Sequence, residues 1–368
     1  MGCYFPQEIL DLVIDCIKDD QTTLKTCCLV SKALVQRAQK HLFVKVKLHS
    51  FGYPISRWRE TFPDPTNSPA HHTQTLSFVG ATPIAATDAD IILAFRNVAN
   101  LTVNTRTVSD QNLSFAPLRG AFPAIRSLNL TFGILPDSEI FGLICSFPLL
   151  EDLAFMARCV FTDDVWSHPP TSPRLTGCLE LYQYPGLWSI AHQLLDLPNG
   201  LHFRRIAVSL FFDRDVEATM DLVSGCQSTL ESLSITNHFT RPSLTPLIDL
   251  SNYPKIQALE FRCSRADIQW VTTILRNVRP ENIHQISIGL SYRAFPHLPC
   301  QSCSDLDSCL VRCWTSHSLR VKFMHGPVNE LEGTRERIAL LFPQITRRVV
   351  VEVVEYPDIQ RDILRSSV

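Results

Sequence analysis

The chain has 368 residues, with 34 Lys and Arg against 36 Asp and Glu, and its formal charge of −2 argues against holding nucleic acid through bulk charge. Apolar residues make up 45% and charged residues 19%, which excludes overall disorder and allows a large buried core. Gly is scarce at 13 residues, which counts against phosphate-cradling loops, and 24 Pro point to many short, punctuated elements.

The opening MGCYFPQEIL has no basic start and no apolar run, so it does not read as a secretory leader, and Pro6 stands where a myristoylation signal wants Ser or Thr. No stretch is long and apolar enough for a membrane span. The 13 Cys are odd in number and unframed, which favours reduced thiols in the cytoplasm or nucleus, most of them small buried hydrophobes. Without a secretory route, the glycosylation sequons at Asn100, Asn112 and Asn129 are chance matches.

Pro6 can open a helix, and Ile9, Leu10, Val13, Ile14 and Ile17 follow at helical spacing with early acids at the positive end of the dipole. Asp19 to Thr22 breaks the pattern, with Thr22 or Thr23 the expected cap. Leu24, Cys27, Cys28, Ser31 and Leu34 form a second stripe, and Val35, Ala38 and Leu42 a third short helix. Three helices in about 40 residues bury little alone, so residues 3–42 read as a module that needs a partner. Residues 43–73 read as a first strand, with Val44, Val46 and Leu48 alternating, and a connector with a helical turn near Trp58.

From residue 74 to 356 a repeat emerges. Apolar residues recur at offsets 0, +3 and +5 in Ile125/Leu128/Leu130, Leu150/Leu153/Phe155, Phe203/Ile206/Val208, Leu230/Leu233/Ile235, Ile256/Leu259/Phe261 and Ile283/Ile286/Ile288. Leu175, with Leu179 and Leu181 one residue late, fills the longest gap, so the period is 25 to 28 residues. Weaker copies lie at Thr75–Val79, Asn100–Val103 and Leu319/Val321/Phe323. Pro123, Pro148, Pro173 and Pro254 each stand two residues before a unit and mark the turn from helix into strand. Helical stretches intervene at Asp137–Ser146, Val216–Cys226 and Asp267–Arg276. The fold class expected is therefore α/β: a short helical module, then a leucine-rich-repeat-like solenoid with a parallel concave sheet and convex helices. The Asn that usually follows such strands is mostly missing, so an irregular inner ladder is expected. Thr334–Leu341 and Arg347–Val354 read as a closing helix and strand, and residues 357–368 as a tail.

The run Phe5-Pro6-Gln7-Glu8-Ile9-Leu10, followed by Val13-Ile14, Ile17, Leu24 and Leu29-Val30-Ser31-Lys32, resembles an F-box over about 40 residues. Phe5 replaces the family's usual Leu, and Leu34 stands where Trp is common. The remainder is similar to the divergent leucine-rich arrays of F-box proteins, particularly the large fungal families. The resemblance implies that the module binds the Skp adaptor of a cullin–RING ubiquitin ligase. It places Phe5, Pro6, Ile9, Leu10, Val13 and Ile14 against the adaptor or the inner core, with Leu24, Cys28, Leu29, Val30 and Ser31 completing the surface.

If offsets +3 and +5 point inward, offsets +2, +4 and +6 line the concave face, because strand side chains alternate. That face is mostly small and polar, and Asn129, Asp152, Arg205, Ser234, Glu260 and Arg262 are its candidate target-binding residues. A merely solvated face fits the same pattern.

The sequence holds no P-loop, dinucleotide fingerprint, nucleophile elbow or HExxH. His71-His72, Asp88/Asp90 and Asp213/Asp215 read as solvated surface. His297, Cys300, Cys303, Cys309, Cys313 and His317 approach zinc-ligand spacing, but Leu306, Cys309, Leu310, Cys313 and Trp314 make a buried helical stripe, so no metal or other cofactor is expected. The expectation is a non-enzymatic ubiquitin-ligase receptor whose partners are a Skp-family adaptor, through it a cullin, and an unidentified target protein, with no nucleic acid, membrane or small molecule. A scaffold that does not direct ubiquitination is the alternative.

Overall fold

The structure, a computed structural model, describes residues 5–49, 55–79, 89–105, 115–132, 134–156, 160–162, 172–182, 187–238, 249–263, 268–290, 298, 300–313, 320–325, 331–348 and 351–355. The tail expected at 357–368 and His297 and His317 lie outside the described residues. The chain forms two compact units, the first Met1–Asp152 with Arg158–Pro173, the second Leu153–Ala157 with Arg174–Val368.

The first unit begins with α1 (Gln7–Cys16), α2 (Gln21–Val30) and α3 (Lys32–Leu42). There follow β1 (Lys45–His49), α4 (Ile55–Thr61), β2 (Thr75–Val79), α5 (Ala89–Ala94), β3 (Asn100–Thr105), β4 (Ser127–Phe132), β5 (Ile134–Pro136) and α6 (Asp137–Cys145). β6 (Asp152–Met156) belongs to the second unit from Leu153 on, and β7 (Val160–Thr162) pairs with β5 in a small parallel sheet. β1, β2, β3 and β4 pair in that order, all parallel. The sheet starts at Lys45, where Val46 and Leu48 register with Leu76 and Phe78, so the strand expected at the start of residues 43–73 is β1. An aromatic cluster packs beneath this start. Trp58 lies 5.8 Å from Phe43 and 5.0 Å from Phe95, and its indole N–H donates to Ser68 Oγ at 3.2 Å.

The second unit continues with β8 (Cys178–Tyr182), α7 (Leu187–Leu195), β9 (Arg205–Leu210), α8 (Asp213–Gly225), β10 (Ser232–Asn237) and β11 (Ala258–Cys263). It closes with α9 (Gln269–Arg276), β12 (Gln285–Leu290), α10 (Cys300–Cys313), β13 (Arg320–His325), α11 (Leu331–Leu341), α12 (Pro343–Thr346) and β14 (Val351–Glu355). The strand order is β6, β8, β9, β10, β11, β12, β13, β14, again parallel throughout. The protein is therefore an α/β fold of parallel strands alternating with helices.

The repeat dictates this register. Leu179, Ile206, Leu233, Leu259, Ile286 and Val321 pair as one row, and Leu181, Val208, Ile235, Phe261, Ile288 and Phe323 as the next. All twelve side chains are buried, with the helices over them: Phe261 meets Trp270 of α9 edge-on at 5.4 Å. The residue before each strand adds a second ladder. Its carbonyl accepts two N–H groups from the start of the next strand, as Arg204 does from Glu231 and Ser232, Glu231 from Gln257 and Ala258, and Gln257 from His284 and Gln285. Main chain thus supplies regular pairing in β9–β12, and the irregular ladder expected from the missing Asn does not occur there.

The prolines act through tight turns. Phe122, Phe147 and Tyr253 are buried, their carbonyls accept from Ile125, Leu150 and Ile256, and Pro123, Pro148 and Pro254 occupy the second turn position, where their fixed φ suits the bend. Helix starts are set by carboxylates and hydroxyls. Asp20, not Thr22 or Thr23, caps α2 by accepting both Thr N–H groups at 3.0 Å. Asp215 is buried and not solvated, since its carboxylate accepts from Phe211 and Phe212 N–H, both at 2.9 Å. Burial pushes the Asp215 carboxyl up, and these two bonds oppose the shift. Asp307 of α10 is also buried and accepts from Gln344 N at 2.8 Å and Ile345 N at 2.9 Å, capping α12.

Asp307→Ala leaves the part-buried Gln344 N–H and the buried Ile345 N–H without that acceptor, so a loss of about 2 kcal/mol is expected as a lower urea midpoint. Asp305→Ala, on the exposed side of α10 beside Gln301, should change stability by less than about 0.5 kcal/mol. Equal midpoints for the two variants would refute the cap.

Candidate protein-interaction surfaces

The helical module has a core of only three fully buried side chains, Ile14, Leu24 and Ala38, ringed by Ile17, Cys27, Cys28, Leu34 and Leu42. A core this small covers one face of each helix. Phe5, just before α1, and Ile9, Leu12 and Val13 on it are left in solvent, as are Leu29 and Val30 at the end of α2, the last two 88% and 73% exposed. Among the described residues, these are six of the ten exposed large apolar side chains. One contact draws the two groups together: Gln7, between Phe5 and Ile9, donates to the carbonyl of Ala33, three residues past Val30, at 2.9 Å.

The residues expected to face an adaptor therefore divide. Phe5, Pro6, Ile9, Val13, Leu29 and Val30 are exposed, and Leu10 is half-buried. Ile14 and Leu24 are core residues and Cys28 packs half-buried against them; Leu24 is wholly buried and completes no surface. Ser31 leaves the helical stripe, because its backbone is extended and its hydroxyl accepts from Ala33 N to cap α3. Leu12 was absent from the expected set. Its signal was available: Ile9, Leu10, Leu12, Val13 and Ile14 are too many apolar residues for one buried face of a ten-residue helix.

α1 is tied to α3 by Asp15, which takes two bonds from the Arg37 guanidinium and one from His41 Nε2 at 2.7 Å. The Arg37 bonds first, then the His41 bond, hold the Asp15 carboxyl well below the usual carboxylate range.

On the sheet, Asn129 and Asp152 belong to the first unit, and Arg205, Ser234, Glu260 and Arg262 to the second. In the second unit these four lie on the face away from the helices: Ser234 pairs with Glu260, and Arg205 stands exposed at the start of β9. Arg262 Nε donates to Glu260 Oε1 at 2.5 Å. The open-groove expectation holds only partly, because Ala207, Ser209, Thr236 and Ser287 on this same face are buried. The signal was in the spacing: small residues in β9 and β10 sit in line with Tyr182 and Arg262, whose long side chains shelter them.

Cys303, Cys309 and Cys313 pack into the core on α10, which starts at Cys300. Burial pushes the thiols of Cys303 and Cys313 up to about 11, which keeps them protonated and poor ligands at neutral pH. Among the described residues no group of three or more His, Cys, Asp or Glu is placed to hold a metal ion. No described helix is long and apolar enough to cross a membrane. His71 is half-buried, with Nδ1 2.7 Å from the Ser68 carbonyl, and Asp90 pairs with Arg59 at 3.1 Å. No protein-family model matches the chain, and no curated protein matches it.

The Asp15 contact makes the module acid-sensitive in a defined direction. A carboxyl depressed by folding contributes stability that is complete above its unfolded value near 4 and lost as pH falls through the folded value. Wild-type melting temperature should thus drop steeply below about pH 4, while Asp15→Asn should start lower at neutral pH and fall less. Parallel melting curves for the two proteins from about pH 7 to 3 would show that Asp15 is not the group responsible.

Proposed function

We propose that residues 5–42 form an F-box-like docking module for a Skp-family adaptor, and through it a cullin, in the cytoplasm or nucleus. The strand–helix array that follows, read as a leucine-rich-repeat-like solenoid, holds a target protein for ubiquitination. The chain itself is a receptor and performs no chemistry. The observation that carries this reading is the apolar surface of α1 and α2, where six large side chains remain exposed around the Gln7–Ala33 contact. Exposed apolar area concentrated in this way marks a site of association. The F-box resemblance of the same residues names the class of partner.

A second reading has a specific basis. The same surface would serve a scaffold that binds an adaptor without directing ubiquitination, since adaptor docking and target modification are separable events. Co-purification with cullin distinguishes them: adaptor without cullin favours the scaffold.

The test is a pull-down with purified Skp-family adaptor. Ile9→Asp with Val13→Asp replaces two exposed anchors, each worth about 2 kcal/mol when buried in an interface, so binding should weaken by roughly 10³-fold. Circular dichroism and melting should be unchanged, because both side chains are exposed in the free chain. Undiminished adaptor binding by the double variant, or none by the wild type, refutes the docking assignment.

A further inference from the structure

The exposed apolar side chains of the helical module form one patch large enough to pair two chains. Phe5, Ile9, Leu12, Val13, Leu29 and Val30 are between 45% and 88% exposed, which leaves on the order of 600 Å² of apolar side chain in water. That is the top of the range for the largest apolar patch of a soluble monomer. Gln7 donates to the Ala33 carbonyl at 2.9 Å, so the α1 and α2 parts of the patch are held side by side within one chain.

The rim of the patch is charged, and the signs are sorted. On α1, Glu8 stands one turn from Leu12; on α2, Lys25 stands one turn from Leu29, and Lys32 follows two residues after Val30. Glu8, Lys25 and Lys32 are exposed, and none has an ion-pair partner among the described residues. Such a surface is complementary to itself. A two-fold axis that lays α1 of one copy over the end of α2 of another sets Glu8 against the lysines twice and closes the apolar side chains between the copies. α1 laid on α1 would instead bring Glu8 against Glu8. Two such patches face to face bury roughly 1,200 Å², the lower limit for a stable interface, so the pairing is weak, with a dissociation constant on the order of 10–100 µM.

We propose that, without an adaptor, the module pairs with a second copy of this chain through this patch, and that the pairing holds the docking surface closed. The pairing stands on the free surface alone, whereas the exclusion of adaptor rests on the docking assignment above. A paired chain has Ile9, Val13 and Leu29 covered and offers an adaptor none of these anchors.

Full-length protein is followed by sedimentation velocity from about 1 to 200 µM, a range that brackets the expected constant. The mass should rise with concentration and level off at two chains. Glu8→Lys, and separately Lys25→Glu with Lys32→Glu, put like charges together in the self-pair, and each should weaken association at least tenfold at low salt. Mixed, the two variant proteins meet with opposite charges and should pair with each other, which also shows that both are folded. Adaptor added to the wild type should convert dimers into complexes holding one copy of each chain. A single-chain mass throughout, growth past two chains, or no recovery on mixing overturns the pairing. A complex of two chains and two adaptors overturns the exclusion. Dimers that level off in a chain that binds no adaptor overturn the docking assignment, and the exclusion with it, but support the pairing.

Discussion

Parallel pairing in a fixed register is the constraint on which both sheets depend. A parallel strand cannot reach its neighbour through a tight turn, so every step needs a crossover long enough to return the chain to the same end. Among the described residues α7, α8 and α9 lie in such crossovers, and between β8 and β12 the 26 or 27 residue repeat is the length of that return. The double-acceptor carbonyl before each strand fixes where pairing begins, as at Gly177, Arg204, Glu231 and Gln257. A slip of one residue would turn Leu233 and Ile235 out of the core and Ser234 and Thr236 into it, at a cost no other contact could offset.

The same register creates the outward surface. Residues about 26 positions apart in the chain become lateral neighbours 4.8 Å apart, so Ala207, Ser234 and Glu260 form one row although nothing local relates them. Selection for a buried row therefore fixes the geometry of the exposed row beside it without fixing its residues. That freedom is what makes such a face suitable for recognition: long and short side chains can be exchanged along a row while the core keeps the spacing.

The strands were legible because their signal is repeated. Offsets 0, +3 and +5 recur often enough that a single ambiguous copy, such as Leu175 with its extra residue, is resolved by its neighbours. The caps were less legible. Asp20 and Asp215 look like ordinary surface acids in sequence, and only their backbone donors distinguish them. Asp307 was hidden altogether, since its partners Gln344 and Ile345 lie 37 and 38 residues away in a different helix. Stripe reading in the module failed for a related reason. A helical stripe shows which residues share a face, but not whether a neighbour exists to cover it, and so Leu24 and Leu29 could not be told apart.

The two candidate surfaces differ in what leaves them available. On the module, the limit is size: three short helices close over Ile14, Leu24 and Ala38 and have no further layer for Ile9, Val13 or Leu29. Such a surface binds through apolar area and tolerates little polarity at its centre. On the second unit's sheet the limit is shape, because the helices cover one face only and the other is filled by its own side chains, with Tyr182 and Arg262 sheltering Ser209 and Thr236. That face presents hydroxyls and charged side chains and little apolar area. One chain thus carries an apolar surface and a polar one, and the two share no residues.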